Sequence, residues 1–586
     1  MILLLVALIG ASDSTPQLAY SVTVPINRSA YLVEIQITNP PDPSRLVIPA
    51  WAPGAYQLMN SGTNIRDFEA VTRAEDRLSV RQDSPNSWVI DTQGTQVITV
   101  RYTAGLRDSV AWRRPNNRWF LRATSGVVDG PRTFMYLDGF TQLPATVAFG
   151  VPPGWRVATG LSPTTSDSTT FTAPNYDVLI DSPMLVGEFL SYTFTAAGTS
   201  HRAVVDLGGG RAAAPAVFVD MLRRISTTAI GIFGGPPYRD YTYIFVGGRG
   251  GGLEHLNSTT IGVSTETLAR NPRGAQTVSA HEFFHAWNVK RIRPIELGPF
   301  NYEREVRTVN LWWSEGVTDY YADLILARAG LNTPADFARR LARSIENFQN
   351  DAARMVISPE RASWTTWDSP AVNQGAYISY YLQGELLGFL LDLAIRDSTD
   401  NARSLDDVMR FLMRHYSGDH GFTRDQLVEA VRSATGCNFE EFWRLHVSGT
   451  SDIPWNDYLK AAGWRLALTK TPAVDARIGS IPPAVPGGRW RAVAPLGAAW
   501  LAGLRTGDEL VRINRRDIID GTDVTAAVRS IRPGATVIVD VMRNNQPITI
   551  RFHAGRYERE HAALRDLSVQ TTKMRRIRAG LTGATP

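Results

Sequence analysis

The segment TVSAHEFFHAWNVKRIRP, residues 277–294, decides how the rest of the chain is interpreted. Its two histidines, His281 and His285, stand four positions apart, and Glu282 directly follows the first. Side chains four residues apart lie on the same face of a helix, so both imidazoles can reach one metal ion. Glu282 lies about 100° further around the helix, where it can contact a water molecule on that ion but cannot replace a ligand. The segment therefore predicts a helix that carries part of a metal site.

A second helical segment supplies a third ligand. The sequence NLWWSEGVTDYYADLILARAG, residues 310–330, contains Glu315 and, one turn further along the same face, Asp319. Two imidazoles and one carboxylate, with water in the fourth position, form a typical catalytic zinc site. A metal-bound histidine usually donates its free N–H to a carboxylate, and Asp319 is placed to accept it. The combined pattern predicts one Zn²⁺ per chain, although HEFFH alone would also suit a helix with ordinary polar histidines.

The composition is typical of a large globular protein with several domains. The 586 residues suffice for three or four domains of about 100–200 residues each. The 61 Lys and Arg residues nearly balance the 56 Asp and Glu residues. Because no aromatic residues alternate with the basic ones, we expect no nucleic-acid partner. The basic run KMRRIR, residues 573–578, is interpreted as part of a solvated tail. Cys437 is the only cysteine, so no internal disulfide can form.

The first residues have the pattern of a secretory signal. MILLLVALIGASDSTP, residues 1–16, joins a short apolar run to small residues, with a candidate cleavage position after Ser12 and no basic residue before the run. This run is too short to cross a bilayer. ELLGFLLDLAI, residues 385–395, is also short and contains two acidic residues, which favours a core helix. We therefore expect an exported protein, periplasmic or secreted, with no integral membrane segment.

The periodicity of the sequence changes along the chain and predicts a multidomain α+β protein. Runs such as YLVEIQIT and QVITVRYTA are rich in β-branched and aromatic residues between turn residues, whereas the middle of the chain has helical periodicity. The predicted segments are a signal (1–15), a β-sandwich-like domain (16–195), a mainly helical domain (196–465), a domain of short strands (475–555) and a tail (556–586). Within the helical domain, helices are predicted over 214–234, 334–348 and 376–396, and a strand over 241–248.

Two shorter segments suggest interactions. PAWAPGAYQ, residues 49–57, is either a structural turn or a rigid loop that packs on a neighbouring domain. AVAPLGAAWLAGLRTGDELVRINRRDI, residues 492–518, closely resembles the equivalent stretch of a PDZ domain. Such domains bind an extended peptide, often a chain terminus, as an added strand. A PDZ-like domain that only packs against its neighbours is the alternative.

Taken together, these motifs resemble those of a known family. HEFFH followed by WWSEGVTDYY resembles the thermolysin-like zinc peptidases with a glutamate ligand, the gluzincins. The further segments PAWAPGAYQ, GGGLEH, YYLQGELLGFLLDLAIR and GCNFEEFWRLHVSGT, with the β-rich and PDZ-like flanks, are similar to the glycyl aminopeptidase family of exported bacterial enzymes.

The resemblance implies a thermolysin-like catalytic domain and a role for each motif residue. It implies His281, His285 and Glu315 as zinc ligands and Glu282 as the general base, in agreement with the reasoning from spacing. It further implies that a tyrosine three residues before a glycine stabilises the oxyanion, which here is Tyr381 in YLQG. The adjacent Tyr380 is the alternative donor.

The segment GGRGGGLEH, residues 247–255, bears on the kind of peptidase. Gly251 and Gly252 allow close approach of substrate to the backbone, and Glu254 would place a carboxylate near the zinc for a free α-ammonium group. This segment is similar to the Gly-x-x-Glu element that holds the amine in other gluzincin aminopeptidases. His255 would contact substrate or hydrogen-bond to the loop.

The predicted function is therefore removal of N-terminal residues from peptides by a zinc aminopeptidase. The family resemblance implies that the first residue is small, glycine or alanine. The alternative for Gly248 to Gly252 is a flexible surface loop, which would remove the argument for a free amine. The alternatives are a zinc endopeptidase and a peptide-binding protein that acts through its PDZ domain with little catalysis.

Overall fold

The computed structural model describes residues 15–25, 30–105, 121–164, 169–206, 215–247, 251–472, 480–481, 488–490, 492–518, 521–555 and 558–583. Residues 1–14 of the predicted signal, and residues 248–250 of the glycine-rich segment, lie outside the described residues. No helix in these ranges is long and apolar enough to cross a membrane.

The N-terminal domain is built from three β-sheets. Its strands alternate between buried and exposed side chains, as in Tyr31–Thr38, where Tyr31, Val33, Ile35 and Ile37 are buried. This alternation places one face of the sheet on the domain core. The seven-stranded sheet has the order Ser162–Pro163, Thr170–Ala173, Ala145–Gly150, Gln17–Thr23, Tyr31–Thr38, Val97–Ala104 and Ile65–Thr72. The four-stranded sheet contains Ser79–Ser84, Ser87–Asp91, Ser44–Val47 and Tyr136–Leu137, and the three-stranded sheet contains Arg156–Ala158, Met184–Gly187 and Ser125–Val128.

A mainly helical domain follows, and it begins earlier than the sequence predicts. Leu190–Ala196, assigned largely to the N-terminal domain above, pairs with Thr199–Val205 in a different, five-stranded sheet. That sheet continues through Asp240–Val246 and Ser258–Gly262 and ends at the short edge strand Gly252–Glu254. The strand with Glu254 is therefore bonded on one side only within the sheet, as a peptide-binding edge requires.

The helices of this domain surround the zinc-motif helix, Gln276–Phe284. Ala280, Phe283 and Phe284 on that helix are fully buried in the main hydrophobic core. The other longer helices are Pro215–Phe233, Val317–Arg328, Pro334–Gln349, Tyr380–Ser398, Leu405–His415 and Arg424–Thr435. The three predicted helices each correspond to one of these, with ends that differ by up to four residues.

The PDZ domain has a four-stranded sheet and two helices. The sheet order is Arg516–Asp517, Glu509–Ile513, Thr536–Arg543 and Gln546–His553, and the helices are Ala498–Leu501 and Gly521–Ser530. The predicted helix, turn and strand of residues 492–518 are present. With the β-rich and helical domains, this domain confirms the multidomain α+β fold class.

The segment after the PDZ domain differs from the prediction. Residues 556–586 were expected to form a solvated tail, yet Glu558–Asp566 pairs along its whole length with Trp464–Pro472. The helix Thr572–Thr582 then buries Ile577 and Leu581 completely in the core of the helical domain. The PDZ domain is thus an insertion between two strands of one ribbon. The basic residues suggested a solvated tail, but in the structure they bond to the helical domain. Arg578, for example, donates hydrogen bonds to the carbonyls of Ala462 and Gly463.

Candidate metal centre and active site

His281, His285 and Glu315 converge at one point in the helical domain. Nε2 of His281 lies 3.0 Å from Nε2 of His285, and these atoms lie 3.5 Å and 3.2 Å from Oε2 of Glu315. Tetrahedral zinc with bonds of about 2.0–2.1 Å separates its ligand atoms by about 3.3 Å. The side chains are therefore spaced as three ligands of one Zn²⁺ would be, and His285 and Glu315 are almost completely buried.

The second nitrogen of each imidazole lies close to an oxygen atom. Nδ1 of His285 lies 2.6 Å from the main-chain oxygen of Asn288, and Nδ1 of His281 lies 2.7 Å from Oδ1 of Asp319. An N–H at Nδ1 leaves the lone pair on Nε2, the atom that points at the centre. Asp319 thus occupies the place that the sequence assigned to it.

Asn288 is a residue of this centre that the sequence analysis missed. Its side chain is fully buried, and Nδ2 donates to the carbonyls of Trp313 and Ser314 at 3.0 and 3.3 Å and to Oγ1 of Thr318 at 3.0 Å. It therefore connects the turn after His285 to the residues directly before Glu315. Its place in HEFFHAWN, three residues after a ligand, was the available signal.

Glu315 lies in a short π-helical turn, Trp312–Gly316, rather than in a regular α-helix. The helix Tyr380–Ser398 crosses this turn at two glycines, Gly316 and Gly384. The backbones are so close that a Cβ atom on Gly384 would overlap Trp312 and Gly316. Such close backbone contact requires glycine at the crossing. This crossing also determines where Tyr381, three residues before Gly384, meets the site.

The ring of Tyr381 lies beside the proposed zinc ligands. It stacks on the imidazole of His281 with a centroid separation of 6.1 Å, and Tyr380 stacks on Tyr381 at 4.8 Å. Burial raises the pKa of the Tyr381 phenol well above its ordinary value, so the group remains a hydrogen-bond donor. The Tyr380 phenol bonds to Thr366 and Tyr381. Of the two tyrosines, Tyr381 is the one whose ring stacks on a proposed zinc ligand.

Glu282 is buried against the glycine-rich strand. A Cβ atom on Gly252 would lie 2.5 Å from Cγ of Glu282, so only glycine fits beside this carboxyl group. Gly251, directly before it, has a φ of 105°, which favours glycine for a different reason. Burial raises the pKa of Glu282 to about 7, and the neighbouring His281 and His285 oppose that rise.

The charges of the ligands stabilise one another. Burial alone would raise the pKa of Glu315, but His285 and His281 hold it well below its ordinary range. Burial alone would lower the pKa of His281, but Asp319 and Glu315 raise it well above its ordinary value. A buried carboxylate beside two imidazoles is an arrangement that a divalent cation would complete.

Glu254 lies next to these residues and is covered by the N-terminal domain. Ligand-type atoms of Glu254, Glu282 and His285 lie within 4.8 Å of one another. A Cβ atom on Gly54, which has a φ of 92°, would lie 2.5 Å from Oε1 of Glu254. The segment PAWAPGAYQ is therefore a loop that packs on the neighbouring domain, which decides between its two interpretations. Tyr56 of this loop belongs to the main core of the helical domain.

A cavity of about 410 Å³ opens between the two domains beside Glu254. Its lining is mostly apolar, including Trp51, Phe300 and Tyr302, with charged groups from Asp181 and Lys290. His255, which the sequence placed with substrate or with the loop, has Nδ1 3.3 Å from Asp181 Oδ1. Its observed partner is thus a side chain of the N-terminal domain.

Comparison with known proteins identifies the class and then the family. Residues 19–188 match the Peptidase M61 N-terminal domain, residues 275–387 the M61 glycyl aminopeptidase domain, and residues 490–553 a PDZ domain. With its buried centre of two histidines and a glutamate, the chain is a metallo-aminopeptidase. The chain carries an M61 N-terminal domain, an M61 glycyl aminopeptidase domain and a PDZ domain, which confirms the family resemblance.

Several solved structures are similar to the chain, to different extents. A crystal structure of an aminopeptidase N family protein from Idiomarina loihiensis is 24% identical, with a TM-score of 0.82 over 97% of this chain and 100% of that chain. An M1 zinc metallopeptidase from Deinococcus radiodurans bound to a Tyr-Ser-Ala substrate is 18% identical, with a TM-score of 0.48 over 75% of this chain and 94% of that chain. Yeast LTA4 hydrolase in complex with bestatin is 12% identical, with a TM-score of 0.46 over 76% and 70% of the two chains. No curated protein matches the chain.

Proposed function

We propose that the chain hydrolyses the first peptide bond of peptides that have a free N-terminus and uses one Zn²⁺ per chain. The observation that carries this proposal is the state of Glu254. Its side chain is 4% exposed, and Oε1 has no hydrogen-bond partner among the described residues. A buried, unpartnered carboxylate is costly, and a substrate α-ammonium would satisfy it with charge-assisted hydrogen bonds. An internal peptide bond offers no such group.

The residues of the centre would hold the ion as His281 Nε2, His285 Nε2 and a carboxylate oxygen of Glu315. When bound, zinc lowers the pKa of a coordinated water to about 7 and polarises the scissile carbonyl. Glu282, buried beside the ligands, takes the proton from the attacking water and delivers it to the leaving amine. Tyr381 would donate a hydrogen bond from its phenol O–H to the developing oxyanion. Gly252 leaves room for Glu282 beside the edge strand, and the substrate backbone would pair with that strand.

The preference for the first residue is proposed from the family description, glycyl aminopeptidase. We propose that glycine and alanine are the preferred first residues. The cavity beside Glu254 has a volume of about 410 Å³, which is large enough for a bulky side chain. Large and small first residues must therefore be compared directly. The PDZ domain would bind an extended peptide or a chain terminus in addition.

The test is hydrolysis of glycine, alanine, leucine and phenylalanine p-nitroanilides beside their N-acetylated forms, with zinc content measured on the same sample. We expect about one zinc per chain, cleavage of the free-amine substrates only, and the highest kcat/KM for glycine and alanine. Cleavage of the acetylated substrates would indicate an endopeptidase. Faster cleavage of the phenylalanine substrate would instead assign the cavity to a large first side chain. A chain that binds peptide but neither holds zinc nor cleaves would act through its PDZ domain.

A matched pair of variants tests the role of Glu254. Glu254→Gln should lower kcat/KM for the free-amine substrates by about 10–150-fold, since hydrogen bonds to charged groups contribute about 1.5–3 kcal/mol. Glu385→Gln is the control, because burial raises the pKa of this other carboxyl in the same domain to about 8 and the amide imitates its protonated form. Equal losses in both variants would contradict the assignment of the amine site to Glu254.

A further inference from the structure

Asp181 is a carboxylate of the N-terminal domain that reaches the segment following Glu254. Its Oδ2 accepts a hydrogen bond from the backbone N–H of Leu256 at 2.7 Å. Its Oδ1 lies 2.7 Å from Nζ of Lys290 and 3.3 Å from Nδ1 of His255. One side chain therefore contacts both the end of the amine-site strand and the segment that follows the zinc-motif helix.

The charges of two carboxylates, Asp181 and Glu254, act on the Lys290 ammonium. The side chains of Lys290 and Asp181 are only 10% and 16% exposed, and with Glu254 they line the same cavity. Burial would lower the pKa of Lys290, but the charges of Asp181 and Glu254 raise it, so the lysine stays protonated. Of these two acids, the described contacts pair the ammonium with Asp181 alone.

The unpartnered state of Glu254 depends on this pairing. A buried carboxylate attracts any nearby ammonium, whether it belongs to a substrate or to the protein itself. Lys290 is an internal competitor of the kind that would neutralise Glu254 and occupy the position of the substrate amine. Its hydrogen bond to Asp181 supplies the alternative partner that prevents this.

We infer that Asp181 is a positioning residue of the amine site: it holds Lys290 away from Glu254 and anchors the Glu254 segment through Leu256. This inference rests on the proposed function, because it assumes that Glu254 binds the substrate amine. It makes the N-terminal domain a functional part of the site rather than only a cover over it. The role is one of specificity for the free amine, since none of these contacts involves a zinc ligand.

The test uses two inhibitors that bind zinc through the same hydroxamate group, glycine hydroxamate with a free amine and acetohydroxamate without one. Their inhibition constants are measured on the full-length, zinc-loaded protein and on Asp181→Asn. The asparagine oxygen still accepts from Leu256 N–H, whereas its NH2 group replaces the oxygen that faces Lys290 and His255. The substitution therefore removes both the charge and the acceptor that hold Lys290. We expect the parent protein to prefer glycine hydroxamate at least tenfold and Asp181→Asn to lose that preference, with zinc content and acetohydroxamate inhibition unchanged.

Rescue distinguishes positioning from a general structural effect. Asp181→Asn combined with Lys290→Met removes the competing ammonium, so the preference for glycine hydroxamate should return to within threefold of the parent value. A parent protein without the preference would refute the role of Glu254 and hence the proposed function. A retained preference in Asp181→Asn, or a loss that the second substitution does not restore, would overturn the role of Asp181 alone. If Asp181→Asn does not fold, the double variant is measured instead, because it buries no unpaired lysine. Loss of the preference for glycine hydroxamate in the double variant refutes the inference.

Discussion

Replacing the buried amide of Asn288 should weaken metal binding without touching a ligand. In Asn288→Leu, the main-chain oxygen that accepts from His285 remains, but the side-chain donors to the Glu315 turn are lost. Thr318 still donates to the Ser314 carbonyl at 2.7 Å, so the Trp313 carbonyl loses its side-chain partner outright. The two hydrogen bonds from Asn288 Nδ2 to the Trp313 and Ser314 carbonyls contribute about 0.5–1.5 kcal/mol each, so their loss costs about 1–3 kcal/mol.

The lost hydrogen bonds hold the turn that carries Glu315. When this turn loosens, the free-energy cost lowers the affinity for zinc. Removing outer contacts of a metal site typically lowers affinity by about 10–100-fold, which corresponds to about 1.4–2.7 kcal/mol and so matches the estimate from the hydrogen bond. We therefore expect the zinc dissociation constant of Asn288→Leu to rise by about 10–100-fold.

The assay is competition with a chelator of known affinity, followed through zinc content and p-nitroanilide hydrolysis. Gln383→Leu is the control, because Gln383 is also a buried amide, donating to the Ile357 carbonyl at 2.9 Å, but it contacts no ligand. The control should lose stability and keep its zinc affinity. Zinc affinity within threefold of the parent in Asn288→Leu, or an equal loss in Gln383→Leu, would refute the reasoning.

Four further tests address other parts of the structure. Glu282→Gln should retain zinc and lose about 10²–10⁴-fold in kcat, because the general base is removed and the ligands remain; normal turnover would exclude Glu282 as the base. Gly252→Ala should lower kcat at least tenfold at unchanged zinc content, whereas Gly231→Ala, with no atom near its Cβ position, should have no effect. Tyr381→Phe should lower kcat by about 10²–10³-fold and Tyr380→Phe by less than threefold, and the reverse order would identify Tyr380 as the donor. A chain that ends at residue 557 should lose about 3–6 kcal/mol of stability, because the side chains of Ile577 and Leu581 are removed from the core in which they are fully buried. Replacing 473–557 by a short linker should instead preserve peptide hydrolysis; equal thermal stability of the two would contradict the core role of the C-terminal helix.

The parts of the site that could be predicted from the sequence are those set by local spacing. His281 and His285 share a helix face because of the helical repeat, and the same repeat relates Glu315 to Asp319. The strands of the N-terminal domain can also be predicted from local sequence. One face of each strand is buried, so apolar and polar residues alternate along it. The π-helical turn at Glu315 has no such signature, because it arises where two helices cross at Gly316 and Gly384.

The contacts that the sequence could not show are those between residues far apart in the chain. Gly54 and Asp181 look like ordinary turn residues, and only the packing of the N-terminal domain places them beside Glu254 and Lys290. Asn288 likewise acquires its importance from acceptors that lie 25 to 30 residues away.

The C-terminal segment shows the same limit most clearly. Glu558–Asp566 has the sequence EREHAALRD and no fully buried residue, so it lacks the apolar alternation that identifies a strand. Its pairing with Trp464–Pro472 is instead stabilised by backbone hydrogen bonds across a ribbon interrupted by the whole PDZ domain.

The same ribbon attaches the PDZ domain to the helical domain. Because both ends of the insertion are fixed in this ribbon, any displacement of the PDZ domain acts on the helical domain through two neighbouring strands. A second contact, from Trp500 Nε1 to the Gln374 carbonyl at 3.0 Å, holds the PDZ domain near the segment that leads into the Tyr381 helix. The PDZ domain is therefore attached to the catalytic domain as an inserted part of its structure, not as a terminal appendage.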